Sequence, residues 1–110
     1  MKEDIKALWI KGLLSGEYTQ GRNRLEQNGK FCCLGVLCDI AAKHGIVTRK
    51  LNVPRDIVYY DGQKGALPLT VVKWADLPES DPHVAGDRLS AWNDGGTSFA
   101  EIADFIREYL

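Results

Sequence analysis

The sequence predicts an α+β fold, about four helices packed on a small antiparallel sheet, and three observations point to it. Four stretches space their apolar residues as amphipathic or buried helices do. Between them lie short runs with β-favouring residues, and the dipeptides Asn28-Gly29 and Asp61-Gly62 mark tight turns. The 110 residues contain no internal repeat, low-complexity tract or linker, so one domain from 1 to 110 holds all of these elements.

Each element has its own signal. Over residues 3–15, Ile5, Leu8, Trp9 and Leu13 fall at helical spacing, and Gly16 stands where a C-terminal cap belongs. A polar stretch from Tyr18 to about Phe31 reads as a hairpin turning at Asn28-Gly29. From Cys33 to Lys43 the apolar residues cover nearly every face, which predicts a buried central helix that stops at Gly45. Asp39 and Lys43 interrupt it four residues apart, acid before base, a favourable helical pair. Gly35 inside that helix costs about 1 kcal/mol, so it should mark a close approach by another backbone or a ring. Ile57-Val58-Tyr59-Tyr60 is a short strand entering the Asp61-Gly62 turn. Pro68 opens a third helix whose apolar side is Val71, Val72, Trp74 and Leu77, and Pro78 ends it. Residues 78–87, with two prolines, three acids and Gly86, read as a loop. Ser98-Phe99-Ala100-Glu101 is a capping box, and Phe99, Ile102, Ala103, Ile106 and Leu110 form the apolar stripe of the last helix.

Composition narrows the function classes. Fourteen basic against fifteen acidic residues leave a formal charge of −1, whereas a duplex-binding domain carries a positive excess to neutralise phosphates. A small anion needs only two or three placed cations. The longest apolar run, Phe31 to Cys38, is far below the roughly 20 residues that cross a bilayer, and acidic Glu3 and Asp4 do not suit a signal peptide. A cytoplasmic protein without a membrane partner is expected. Cys32, Cys33 and Cys38 lack the paired spacing of a zinc site, and His44 and His83 stand alone, so the thiols are expected reduced in the core and no metal or cofactor is expected.

The common catalytic signatures are missing: there is no Gly-x-Ser-x-Gly and no phosphate-binding glycine loop. Residues 96–103 resemble the first helix of a helix-turn-helix reader, but a recognition helix would have to follow it. Two polar clusters remain. Tyr18, Gln20, Arg22 and Arg24 share one parity, and on a strand they would share a face. A ring beside two guanidinium groups suits a base and a phosphate. Asn93 and Asp94 follow Trp92 and precede two glycines, as a turn leading into a helix does.

Leu14-Ser15-Gly16-Glu17-Tyr18-Thr19-Gln20-Gly21 and Phe31-Cys32-Cys33-Leu34-Gly35-Val36-Leu37-Cys38-Asp39 resemble a group of small accessory proteins common in tailed phages and prophages. Leu67-Pro68, Trp74, Leu89-Ser90, Asn93-Asp94 and Ser98-Phe99 extend the likeness over most of the chain. The resemblance implies a phage setting, in the host cytoplasm, where proteins of this size often inhibit host defence, some by sequestering a nucleotide signal. The expected function is therefore a non-enzymatic protein that binds a small nucleotide-like anion. Arg22 and Arg24 would hold phosphate, Tyr18 would stack, and Gln20, Asn93 and Asp94 would bind polar edges. A protein–protein adaptor using Trp9, Trp74 and Trp92 is the alternative, and a small hydrolase using Asp39 or Asp94 with a histidine is a third reading. A symmetric dimer is also expected, because so short a chain has little room for a deep pocket and must cover an all-round apolar segment.

Overall fold

Helix α2 (Cys33–Lys43) is the axis around which the rest of the chain packs in the computed structural model, which describes residues 1–110. From Cys33 through Cys38 every residue of α2 is buried. At Gly35 an added Cβ would overlap the carbonyl oxygen of Leu25, and that same oxygen accepts the Cys32 N–H at 3.2 Å. The glycine thus admits a backbone approach, as expected from its cost in a helix. Helix α1 (Glu3–Leu14) lies along α2. Fully buried Trp9 donates its indole N–H to the Cys33 carbonyl at 2.9 Å. At Gly12 an added Cβ would stand 3.1 Å from Ile40 and 3.2 Å from Val36. Close helix packing and a satisfied indole go together here, since a buried donor without a partner costs about 1–3 kcal/mol.

The sheet is mixed, and here the expectation of an antiparallel sheet is corrected. Strands β1 (Thr19–Gln20), β2 (Glu26–Gln27), β3 (Lys30–Phe31), β4 (Arg49–Asn52) and β5 (Ile57–Tyr60) are ordered β1-β3-β2-β5-β4. Only β1 and β3 run parallel. The chain leaves β1 at Gly21 and bends through Asn23, whose φ is +68°, before β2 begins. The hairpin proper is therefore β2–β3, turning at Asn28 (φ +55°) and Gly29 (φ +74°), and β1 falls beside β3 in the same direction. Strand β4 leaves no trace in the sequence: Arg49, Lys50, Leu51 and Asn52 are all exposed at the sheet edge and carry no alternating apolar signal.

Helix α3 (Leu69–Ala75) follows Pro68 as the proline predicts. The expected loop over 78–87 contains a two-stranded ribbon, β6 (His83–Val84) with β7 (Asp87–Arg88), too short to leave a periodic trace. A fifth helix, α4 (Leu89–Asp94), stands where a turn was expected. Asp81 accepts hydrogen bonds from both the backbone and the hydroxyl of Ser90 at its start. Helix α5 (Phe99–Tyr109) has the full capping box: Ser98 Oγ accepts the Glu101 N–H at 3.2 Å, and Glu101 accepts the Ser98 N–H at 3.4 Å. Its Ile102, Ala103 and Ile106 are fully buried, each of the larger side chains contributing about 1.5–3 kcal/mol.

All three cysteines are free and buried. Burial pushes the Cys32 thiol up to about 11 and the other two well above the ordinary value. No helix is long and apolar enough to cross a membrane. The segment Cys32–Cys38 is covered within one chain, so the need to cover it gives no reason for a dimer. None of the tryptophans stands exposed: Trp9 is in the core, Trp74 packs on His44 with centroids 5.7 Å apart, and Trp92 donates to the Val84 carbonyl at 2.8 Å.

Candidate anion-binding site

The six residues singled out in the sequence divide into three places. Gln20, Asn93 and Asp94 come together. Asn93 is 1% exposed. Its Oδ1 accepts the Cys33 N–H at 3.1 Å and Gln20 Nε2 at 2.9 Å. Its Nδ2 donates to the Gly21 carbonyl at 2.8 Å and to Asp94 Oδ1 at 3.0 Å. Gln20 also donates to the Thr97 carbonyl at 2.8 Å, and Asp94 accepts the Asn23 N–H at 3.0 Å. Both donors and both acceptor positions of the Asn93 amide are used. This cluster ties β1, the 21–25 loop, α2 and α4 together and has little capacity left for a ligand.

Tyr18 lies elsewhere, on the side of α2. Its hydroxyl donates to Asp39 Oδ2 at 2.6 Å, and its ring meets Phe31 edge-on at 5.0 Å. Burial, then Asp39, pushes its phenol up to about 12. Lys43 pairs with Asp39 at 3.1 Å, the helical pair the sequence predicts, and that hydrogen bond raises the Lys43 pKa. A notch of about 320 Å³ here is lined by Lys11, Tyr18, Lys43 and His44 over Leu8, Gly12 and Ile40. The C-terminal ends of α1 and α2 and Glu17 border it, and Asp39 already holds both Lys43 and the Tyr18 hydroxyl. Helix C-termini carry partial negative charge, so this notch does not suit an anion.

Arg22 and Arg24 do not share a face with Tyr18, because the strand ends at Gln20 and side-chain alternation ends with it. Arg24 turns back on the loop: its Nη1 donates to the Asn23 carbonyl at 2.9 Å, while its buried Nε has no partner. Arg22 is exposed, and it lines a pocket of about 180 Å³ with Gly21, Gln27, Asn28 and Lys30. No lining residue is apolar and none is acidic. The ion pairs of the molecule are Lys43–Asp39, Arg49–Glu26, His83–Glu79 and Arg107–Asp104, leaving Arg22 and Lys30 outside them. Two uncompensated cations and two side-chain amides around a small space are what a phosphate or other compact oxyanion requires. Lys30 and Gln27 meet there because they are register partners across the β2–β3 hairpin.

A second cluster is not apparent from the sequence. Glu26 on β2 is 4% exposed, yet it carries a carboxylate. Arg49 binds it side-on, Nε to Oε1 at 3.1 Å and Nη2 to Oε2 at 2.6 Å, and Tyr60 donates its hydroxyl to Oε1 at 2.5 Å. Burial, then Glu26, drives the Tyr60 phenol up, and the hydrogen bond to Glu26 raises the pKa of Arg49. Such a carboxylate is tolerable in a core only when charge and hydrogen bonds compensate it. The three residues are far apart in sequence and meet only through the pairing of β2 with β5 and β5 with β4. The one sequence signal is a basic pair, Arg49-Lys50, at the start of β4. No group of three or more His, Cys, Asp or Glu side chains is placed to hold a metal ion.

No curated protein and no solved structure matches the chain. A family model described as a domain of unknown function, DUF8296, matches residues 1–110, and the chain belongs to that family.

Proposed function

We propose that this protein binds a small nucleotide-like anion and sequesters it without transforming it. One observation carries the reading: the pocket of Arg22 and Lys30, with Gln27 and Asn28, offers two unpaired cations and no carboxylate to oppose an anionic group. Neither histidine lines it. His44 Nδ1 faces the Ile40 carbonyl at 2.9 Å, and His83 Nδ1 faces Glu79 at 3.0 Å. Arg22 keeps the phosphate-binding role expected from the sequence, Lys30 takes the place of Arg24, and Tyr18, Gln20, Asn93 and Asp94 serve the framework. The resemblance to phage accessory proteins supplies the setting, a host cytoplasm in which the bound anion is an immune signal. A homodimer is part of the proposal, since the pocket is small and open to solvent and a second subunit would enclose it.

Calorimetry against cyclic and linear nucleotides at low salt tests the reading. A Kd below about 10 μM for at least one of them, lost in Arg22→Glu, is expected. Binding no tighter than that across the panel overturns it. Light scattering at ~100 μM should give a dimer mass, and a strictly monomeric mass removes that part of the proposal.

A further inference from the structure

We infer that the anion bound at Arg22 and Lys30 carries a planar ring, and that this ring stacks on the guanidinium of Arg49 in the adjoining pocket. The inference rests on the anion site proposed above and names the rest of its ligand. The pocket at Arg22 holds about 180 Å³, enough for one compact charged group and below the ~300 Å³ at which small-molecule sites begin. Across the β2–β3 turn lies a second pocket of about 370 Å³, lined by Glu26, Asn28, Gly29, Arg49, Leu51, Asp56 and Val58. Asn28 lines both. Glu26 and Gln27 point to opposite faces of β2, so a ligand filling both pockets passes over the turn. Gly29 leaves that path open, with no atom within 4 Å of where its Cβ would be.

The second pocket has the chemistry of a ring site. The side-on pair with Glu26 fixes the Arg49 guanidinium plane, and the Tyr60 hydroxyl fixes Glu26 in turn. The Arg49 side chain nevertheless remains 41% exposed. A part-exposed guanidinium fixed along its edge is suited to stack on aromatic rings, and little rotamer freedom is left to lose on binding. Leu51, two residues along β4, is 47% exposed and stands opposite Val58, giving an apolar wall beside that plane. Asp56 brings a carboxylate to the same pocket, suited to accept from sugar hydroxyls as acidic residues do at ribose. Phosphate, sugar and base thus each have a matching surface.

The test compares inorganic phosphate, adenosine and adenosine 5′-monophosphate by calorimetry on the full chain. The monophosphate should bind about ten-fold or more tighter than phosphate, the size expected of one stacking contact. Leu51→Ser should remove most of that gain and leave phosphate affinity as it was. Arg49→Lys keeps a charge for Glu26 but loses the plane, and it should act in the same direction; if it fails to fold, Leu51→Ser carries the test. Equal affinity for phosphate and the monophosphate overturns the ring site while the anion site stands. An unchanged ten-fold gain in Leu51→Ser overturns it as well. Failure of all three compounds to bind removes the anion site and the ring site together.

Discussion

The 21–25 loop has two sides built from similar residues to opposite ends. On its inner side, Gly21 gives its carbonyl to Asn93, and Leu25 gives its carbonyl to Cys32 across Gly35. On its outer side, Arg22 lines an open pocket with Lys30, Gln27 and Asn28, and its Nη2 lies 3.7 Å from where a Cβ on Gly96 would stand. Asn93 and Arg22 are both polar, and both looked like ligand residues in the sequence. What separates them is saturation. Asn93 has spent its hydrogen bonds on the protein, whereas Arg22 has no ion-pair partner. A buried, saturated amide holds a fold together, and an exposed, unmatched charge is available to a ligand.

The largest effect should come from Gly35→Ala. Its methyl would overlap the Leu25 backbone rather than a movable side-chain tip, so the loop must shift away from α2. A loss of about 4 kcal/mol or more is expected in urea unfolding, at the upper end of single substitutions. A loss under about 1 kcal/mol would mean that the inner side of the loop yields easily, and the contrast would collapse.

Asn93→Ala comes next. It leaves the Cys33 N–H and the Gly21 carbonyl without their partner and removes one of the two acceptors of the Gln20 amide, at about 1–3 kcal/mol for each group that water does not reach. The summed loss should be about 3 kcal/mol by urea melt, with anion affinity of the folded protein unchanged. Loss of binding with stability intact would assign Asn93 to the ligand and reverse the comparison.

Alkaline titration sharpens the same point on the α2 side. The Tyr18 phenol is raised to about 12 by burial and by its hydrogen bond to Asp39, above its unfolded value of about 10. Between those values the folded state holds the proton and the unfolded state has lost it, so stability is full below pH 10 and falls as pH rises toward 12. Tyr60 is raised in the same direction and adds to the fall. Tyr18→Phe should flatten the slope of unfolding free energy against pH above 10, measured by urea melts at stepped pH. An unchanged slope would place Tyr18 in free contact with solvent.

The smallest effect on stability belongs to Arg22→Glu. An exposed side chain outside any ion pair should change the unfolding free energy by no more than about 0.5 kcal/mol while removing anion binding. A large destabilisation would show that Arg22 belongs to the framework with Asn93.

Much of the fold was legible because its signals are local. The spacing of Ile5, Trp9 and Leu13, the proline before α3, and the Ser98–Glu101 box each act within a few residues. Gly35 was readable for a different reason: a costly residue inside a helix implies a neighbour even when the neighbour is unknown. The site was less legible. Parity along 18–24 assumed a strand longer than the one that forms, and once the chain bends at Asn23 the four side chains separate.

By itself, the sequence determined the four longer helices, the turn at Asn28-Gly29 and the burial of the three thiols, since each follows from periodicity or backbone preference close at hand. Only the tertiary structure decided that Lys30 joins Arg22, that Glu26 meets Arg49 and Tyr60, and that Asn93 closes on itself. Those outcomes depend on which strands pair and on whose hydrogen bonds are already taken. Residues distant along the chain settle both by competing for the same partners, and no local spacing records the result.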